Sequence, residues 1–134
     1  MSGYLRAAQI LEEGKQPCNG EAFNFGPNSE QEHTVLDLLK SISQFWKFDN
    51  KSDHFSVDAN HSFHEAGLLK LNCDKALHFL QWRPVLDFEH TSRFTGSWYN
   101  EFYHTKQAEM YDYSVRQIKE YEEKAKQKSL SWVL

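Results

Sequence analysis

Cysteine is scarce: Cys18 and Cys73, far apart in sequence, are the only two in 134 residues. That excludes the disulfide framework of a small secreted domain. The two read as reduced thiols in a cytoplasmic protein, with a single bond between them as the alternative. Long apolar runs are missing as well. No stretch of about 18 residues is apolar enough to suggest a membrane span, and Glu12 and Glu13 interrupt the first apolar segment, which does not resemble a signal peptide. There is no basic excess either. Fifteen Lys and Arg stand against 19 Asp and Glu, for a formal charge of −4, so the basic face of a general nucleic-acid binder is not expected. The six glycines, Gly3, Gly14, Gly20, Gly26, Gly67 and Gly96, never fall into a phosphate-cradling spacing. Nucleophile-elbow, P-loop, CxxC, HExxH and Ser-His-Asp motifs are absent.

The chain length suits one domain able to bury roughly two-thirds of its unfolded surface. Aromatics make up 15% of it, with four Trp and ten Phe, and a domain this small is expected to leave some of them for a partner surface. Residues 2–13 read as an amphipathic helix with Leu5, Ala8, Ile10 and Leu11 to one side and Gly14 as its stop. Glu21–Phe25 alternates polar and apolar and reads as a short strand, ended by Gly26-Pro27. Thr34 with Asp37 forms a capping box for a helix to about Trp46, with Val35, Leu38, Leu39, Ile42 and Phe45 expected inward. His54–Asp58 reads as a second strand, and 59–67 as a polar loop rich in His.

The apolar run Leu68–Leu71 then leads into a short helix, with Asn72 as its cap and Asp74 in its first turn. Trp82-Arg83-Pro84 stops that helix, because proline disfavours helical geometry at the residue before it. Asp87 caps a long helix to about Gln107 with Phe88, Phe94, Trp98, Phe102 and Tyr103 on its buried side, and Gly96 marks a close approach. Ser114 and Gln117 read as a capping box that opens a last helix to about Lys128, with Val115, Ile118 and Tyr121 inward. The fold class expected is α+β, about four helices packed on a small sheet of two or three short strands.

Two constellations have bland readings. His54, His61 and His64 with Asp58 lack the paired ligand spacing of a zinc site and read as a polar loop, so no metal is expected. The Glu/Lys run from Lys119 to Lys128 reads as a solvated helix face, with a partner helix as the alternative.

An ordered set of short elements carries a resemblance. These are Ser2-Gly3-Tyr4-Leu5, Glu21 to Pro27 (Glu-Ala-Phe-Asn-Phe-Gly-Pro), Thr34-Val35, His64-Glu65-Ala66, Leu69-Lys70-Leu71-Asn72 with Lys75-Ala76, Leu80-Gln81-Trp82 with Pro84, Thr95 with Trp98-Tyr99, and Gln117-Ile118 with Tyr121. Together they resemble the C-terminal substrate domain of extended short-chain dehydrogenase/reductase sugar-nucleotide enzymes, most closely the CDP-glucose 4,6-dehydratases. This chain departs from the pattern at Asn72 (usually Asp), Gln81 (usually Gly) and Ala108-Glu109-Met110 (usually Gly-Asp-Met).

The resemblance implies a single C-terminal domain over residues 1–134 with the N-terminal NAD-binding domain absent. It places a nucleotide sugar against Glu65, which would accept the ribose hydroxyls, and His64, which would meet phosphate or base edge. It also brings the Asn24–Gly26 corner close to the nucleotide, where Gly26 would admit backbone approach. For each of these residues an ordinary loop or turn role is the alternative. The family's chemistry needs a glycine-rich pyrophosphate turn, a Tyr-x-x-x-Lys pair and an acid/base pair. Here the residues four after each tyrosine are Ala8, Tyr103, Gln107, Val115, Gln117 and Ala125, and none is lysine. The expectation is therefore a fragment from nucleotide-sugar and surface-polysaccharide metabolism, inactive alone and holding no cofactor. A separate cofactor domain acting in trans, and a self-associating interaction module that has lost the ligand, are the alternatives.

Overall fold

The computed structural model describes residues 1–14, 18–28, 32–46, 55–56, 71–105, 109–130 and 132. Among the described residues five helices form: α1 (Ser2–Glu12), α2 (Val35–Ser43), α3 (Asp74–Leu80), α4 (Phe88–His104) and α5 (Met110–Gln127). Among the described residues there is no strand, so the expected α+β fold with a small sheet does not hold. Glu21–Gly26 forms neither strand nor helix. Side chains fix it instead: Lys75 pairs with Glu21 at 2.6 Å and lies over the Phe23 ring, while the Asn24 amide donates to the Asn72 carbonyl at 3.2 Å. The second expected strand, His54–Asp58, lies outside the described residues except for 55–56, which are not in a strand.

Two compact units emerge from the contacts. One comprises Met1–Gln31, Lys70–Asp87 and Glu120–Leu134, the other Glu32–Leu69 and Phe88–Lys119.

In the first unit, apolar residues from several segments make the core. Ile10 of α1, Ala76 and Leu80 of α3, Cys18 and Trp82 are buried together, and Ala7, Phe23, Phe25 and Trp132 pack around them. Ala76 and Leu80 are four apart and therefore share a helix face. The C-terminus of α3 closes with Gln81 in the left-handed region (φ 53°) and the Trp82 N–H returning to the Ala76 carbonyl at 3.3 Å. This is the closure that glycine ordinarily provides. Arg6 Nε donates to the Leu80 carbonyl at 2.8 Å, and Gln81 Nε2 to the His78 carbonyl at 2.9 Å, so carbonyls left over at the helix end are partnered. Gly3 carries the Phe25 ring against α1; a Cβ there would lie 2.7 Å from ring Cγ and closer still to Cδ1 and Cε1. Phe25 in turn meets Trp82 and Tyr4 edge-on at 5.0 and 5.3 Å. Ser2 Oγ accepts from both the Trp82 indole (3.2 Å) and the Tyr121 hydroxyl (2.7 Å). Burial raises the Tyr121 pKa, and the bond to Ser2 opposes that shift.

In the second unit α2 packs on α4. Gly96 permits the approach: a Cβ there would sit 3.1 Å from the Ile42 carbonyl oxygen and 3.2 Å from Phe45 Cβ, as its position inside a helix suggested. The Thr34–Asp37 capping box forms as expected, Thr34 Oγ1 accepting from the Asp37 N–H (3.1 Å) and the Thr34 N–H donating to Asp37 Oδ2 (2.9 Å). Several expectations fail: Ile118 and Tyr103, expected inward, stand 57% and 65% exposed. Val35, Leu38 and Leu39 are not inward but exposed, at 60%, 39% and 40%. And α5 begins at Met110, not Ser114. Ser114 Oγ donates to the Met110 carbonyl one turn back and accepts from the Trp98 indole, while Gln117 reaches across to the Phe94 carbonyl at 2.9 Å.

Candidate functional site

The expected site residues divide. Glu65 and His64 lie outside the described residues, as do His54, His61 and Asp58. Among the described residues no cluster of His, Cys, Asp and Glu could hold a metal ion. Asn24 and Gly26 are described, and they sit together on the entrance to α3. Asn24 is exposed and holds the Asn72 carbonyl through its amide. Gly26 approaches the chain itself: a Cβ there would lie 3.5 Å from Cys73 Sγ and Leu71 Cβ, ordinary contact that an alanine could tolerate. The close approach allowed by this glycine is thus to residues 71–73.

Those residues open α3 with a side-chain turn. Asn72 Oδ1 accepts the Asp74 N–H at 2.9 Å, and Asn72 Nδ2 donates to Asp74 Oδ2 at 3.2 Å. Cys73, not Asn72, occupies the cap position and makes no capping bond through its side chain. Asn72 still satisfies one of the free N–H groups of the first turn, one residue earlier than a standard cap.

A cleft of about 550 Å³ lies against this entrance, within the first unit. Its apolar lining comes from Pro27, Leu71, Leu77, Trp82 and Pro84. Its polar lining comes from Asn28, Asn72, Asp74 and Arg83, with the Cys73 thiol beside them. Roughly 300–1,000 Å³ is usual for a small-molecule pocket, as is an apolar wall with a few polar groups. Among the described residues the Arg83 and Asn28 side chains have no hydrogen-bonding partner or ion pair. Asp74 keeps Oδ1 beyond its bond to Asn72. The cleft therefore offers unused donors and an unused acceptor on opposite kinds of group. Sequence reasoning treated Trp82-Arg83-Pro84 only as a helix stop. The signal that was there is a cationic residue set between an aromatic and a proline in sequence.

Similarity to known proteins bears on this geometry. The chain is 36% identical over 85 residues to the CDP-glucose 4,6-dehydratase of Salmonella typhimurium, a match covering 63% of this chain. It supports a distant relationship to the CDP-glucose 4,6-dehydratases. The chain spans 22% of the length of that relative. No family model matches the chain, and no solved structure matches it. No helix among the described residues is long and apolar enough to cross a membrane.

Proposed function

We propose that this chain is the C-terminal, substrate-binding part of a CDP-glucose 4,6-dehydratase-like protein and contributes half of a nucleotide-sugar cleft. The observation that carries this reading is the 36% identity over 85 residues. In this reading Glu65 accepts the ribose hydroxyls and His64 meets phosphate or base edge. The corner at Asn24 and Gly26 lies beside the nucleotide, next to the cleft at the entrance to α3.

The dehydratase chemistry of such a protein runs on NAD, which when bound would accept a hydride from the sugar and later return it. The described residues do not fit that cofactor. A pyrophosphate needs a helix N-terminus that glycine leaves open, and the glycine in the first turn of α1, Gly3, is filled by the Phe25 ring. Gly96, the other helical glycine, is covered by α2. With no Tyr-x-x-x-Lys pair in the sequence either, the chain alone is catalytically silent and a separate domain holds the cofactor.

Isothermal titration with CDP-glucose, with CDP and UDP-glucose as controls, tests the binding. Saturable binding that Glu65→Ala weakens at least tenfold, about 1.4 kcal/mol, is expected. Measurable dehydration of CDP-glucose by the purified chain would overturn the claim of silence. No binding at millimolar ligand would overturn the half-site.

A second reading is favoured by the exposed apolar face of α2, where Val35, Leu36, Leu38 and Leu39 stand in solvent. On that reading the chain is a protein-binding or self-associating module. Sedimentation of a concentration series separates the two, since a monomer throughout removes self-association.

A further inference from the structure

The Arg83-Pro84 wall of the cleft at the entrance to α3 is pinned at both ends. Before it, Trp82 is fixed twice, by its N–H on the Ala76 carbonyl at 3.3 Å and by its indole on Ser2 Oγ at 3.2 Å. After it, Val85 is buried, and its carbonyl accepts from Lys128 Nζ at 2.6 Å. The first anchor belongs to α3 and α1. The second comes from the far end of α5.

Lys128 stands where α5 turns back on itself. The Ser129 N–H returns to the Lys126 carbonyl at 2.9 Å, and the Leu130 N–H to the Ala125 carbonyl at 3.4 Å. These two bonds make a Schellman closure, with Ser129 in its left-handed position at φ 50°. Trp132 packs on the buried cluster of Ile10, Cys18, Ala76, Leu80 and Trp82. This seat is held against two costs. Serine brings a Cβ to a position that suits glycine. The Trp132 indole N–H is buried and, among the described residues, has no acceptor. Each cost weighs against the docked arrangement by about fivefold or more in population. An element held by few contacts and opposed by two such costs opens locally, ahead of the unit that carries it.

We propose that Lys128, Ser129, Leu130 and Trp132 form a strap that sets the shape of the cleft from behind. Docked, it fixes the downstream end of Arg83-Pro84. Released, it frees that end and opens the cluster around Cys18. The hold on Val85 and the hold on the core belong to one element, so they are lost together. Lys128 and Trp132 line no part of the cleft; they are positioning residues that act through Val85 and the core. The strap goes beyond the nucleotide-sugar reading and stands without it. Any occupant that needs the fixed wall draws the strap shut by linkage.

Amide exchange followed by NMR on the full chain tests this, with two substitutions of opposite effect. Ser129→Gly relieves the left-handed backbone and should slow exchange at Leu130 and Val85 together, by about fivefold. Lys128→Met keeps the side-chain stem, removes the donor to Val85, and should speed both by about fivefold or more. The Leu38 amide, bonded to the Thr34 carbonyl in the other unit, should not move. Alkylation of buried Cys18 by iodoacetamide, with the partly exposed Cys73 as reference thiol, should follow the same order, slower in Ser129→Gly and faster in Lys128→Met. In urea these rates should rise far less steeply than global unfolding does. A response at Leu130 that leaves Val85 unmoved would overturn the coupling of strap to cleft wall. Rates at Val85 and Cys18 that climb with urea as steeply as the global transition would overturn the local opening. Equal shifts at Leu130, Val85 and Leu38 would show that the substitutions act on overall stability alone, and would overturn it as well.

Discussion

Replacing Gly3 by alanine should destabilise this protein, although the same change in most helices does the reverse. In an open helix position alanine is better than glycine by about 1 kcal/mol. Here the new methyl would overlap the Phe25 ring, lying 2.7 Å from Cγ and closer to two further ring atoms. The ring cannot simply swing aside, because it sits edge-on between Trp82 and Tyr4 at 5.0 and 5.3 Å. Giving up such aromatic pairs costs about 0.5–1.5 kcal/mol each, and forcing an extra carbon into packed surroundings costs about 1–3 kcal/mol. The balance is a loss of about 1–2 kcal/mol. Urea unfolding followed by Trp fluorescence measures it. The double-mutant cycle with Phe25→Ala isolates the cause. Once the ring is gone, Gly3→Ala should become neutral or stabilising by up to about 1 kcal/mol, giving a coupling of about 2 kcal/mol between the two sites. If Gly3→Ala raises stability in the Phe25 background, or costs the same with and without the ring, the packing argument is wrong.

Two other perturbations follow from the fold. Gln81 holds a left-handed conformation at φ 53°. Gln81→Gly should therefore stabilise by about 0.5 kcal/mol net of its lost bond to His78, whereas Gln81→Val should destabilise by about 1 kcal/mol or more; urea midpoints in any other order would refute the backbone assignment. Asp37 has its pKa lowered by hydrogen bonds from the Thr34 hydroxyl and then the Thr34 N–H. A carboxyl depressed on folding stabilises the fold above its unfolded pKa of 3.8 and loses that effect as pH falls through the lower folded value. Asp37→Ala should flatten the stability profile below about pH 4, and an unchanged acid limb would show that the capping box does not form in solution.

Helices were the legible part of the sequence because their signals are local. Thr34 and Asp37 lie three residues apart and need nothing else to cap α2, and Gly96 marked the α2–α4 approach because glycine inside a helix needs a packing reason. The Glu21–Gly26 segment was not legible as what it is. Alternating Phe23 and Phe25 fits a strand and equally fits a strip pinned by side chains. Only a ladder partner separates the two, and the residues themselves do not show one. The α2 face failed for a related reason: periodicity tells which residues share a side, not whether anything covers that side, and Val35 stands 60% exposed. Ser114 and Gln117 have the spacing of a capping box, but both side chains find better partners mid-helix, in Met110, Trp98 and Phe94. Of the candidate site, Asn24 and Gly26 stand against the α3 entrance through the Asn72 carbonyl and the Leu71 and Cys73 side chains, a placement that their sequence context does not show. Arg83 and Asp74 are not legible as cleft residues, because in the sequence one belongs to a helix stop and the other is a helix-opening charge.

The doubly engaged Ser2 hydroxyl changes what kind of object the first helical turn is. Such a turn ordinarily frays, opening and closing on its own with almost no free-energy barrier between its states. Here one oxygen ties it to an indole 80 residues later and to a phenol 119 residues later. Opening the first turn of α1 would therefore cost Trp82 and Tyr121 a side-chain bond each, so the stability of that turn is coupled to residues far along the chain rather than set by its own backbone.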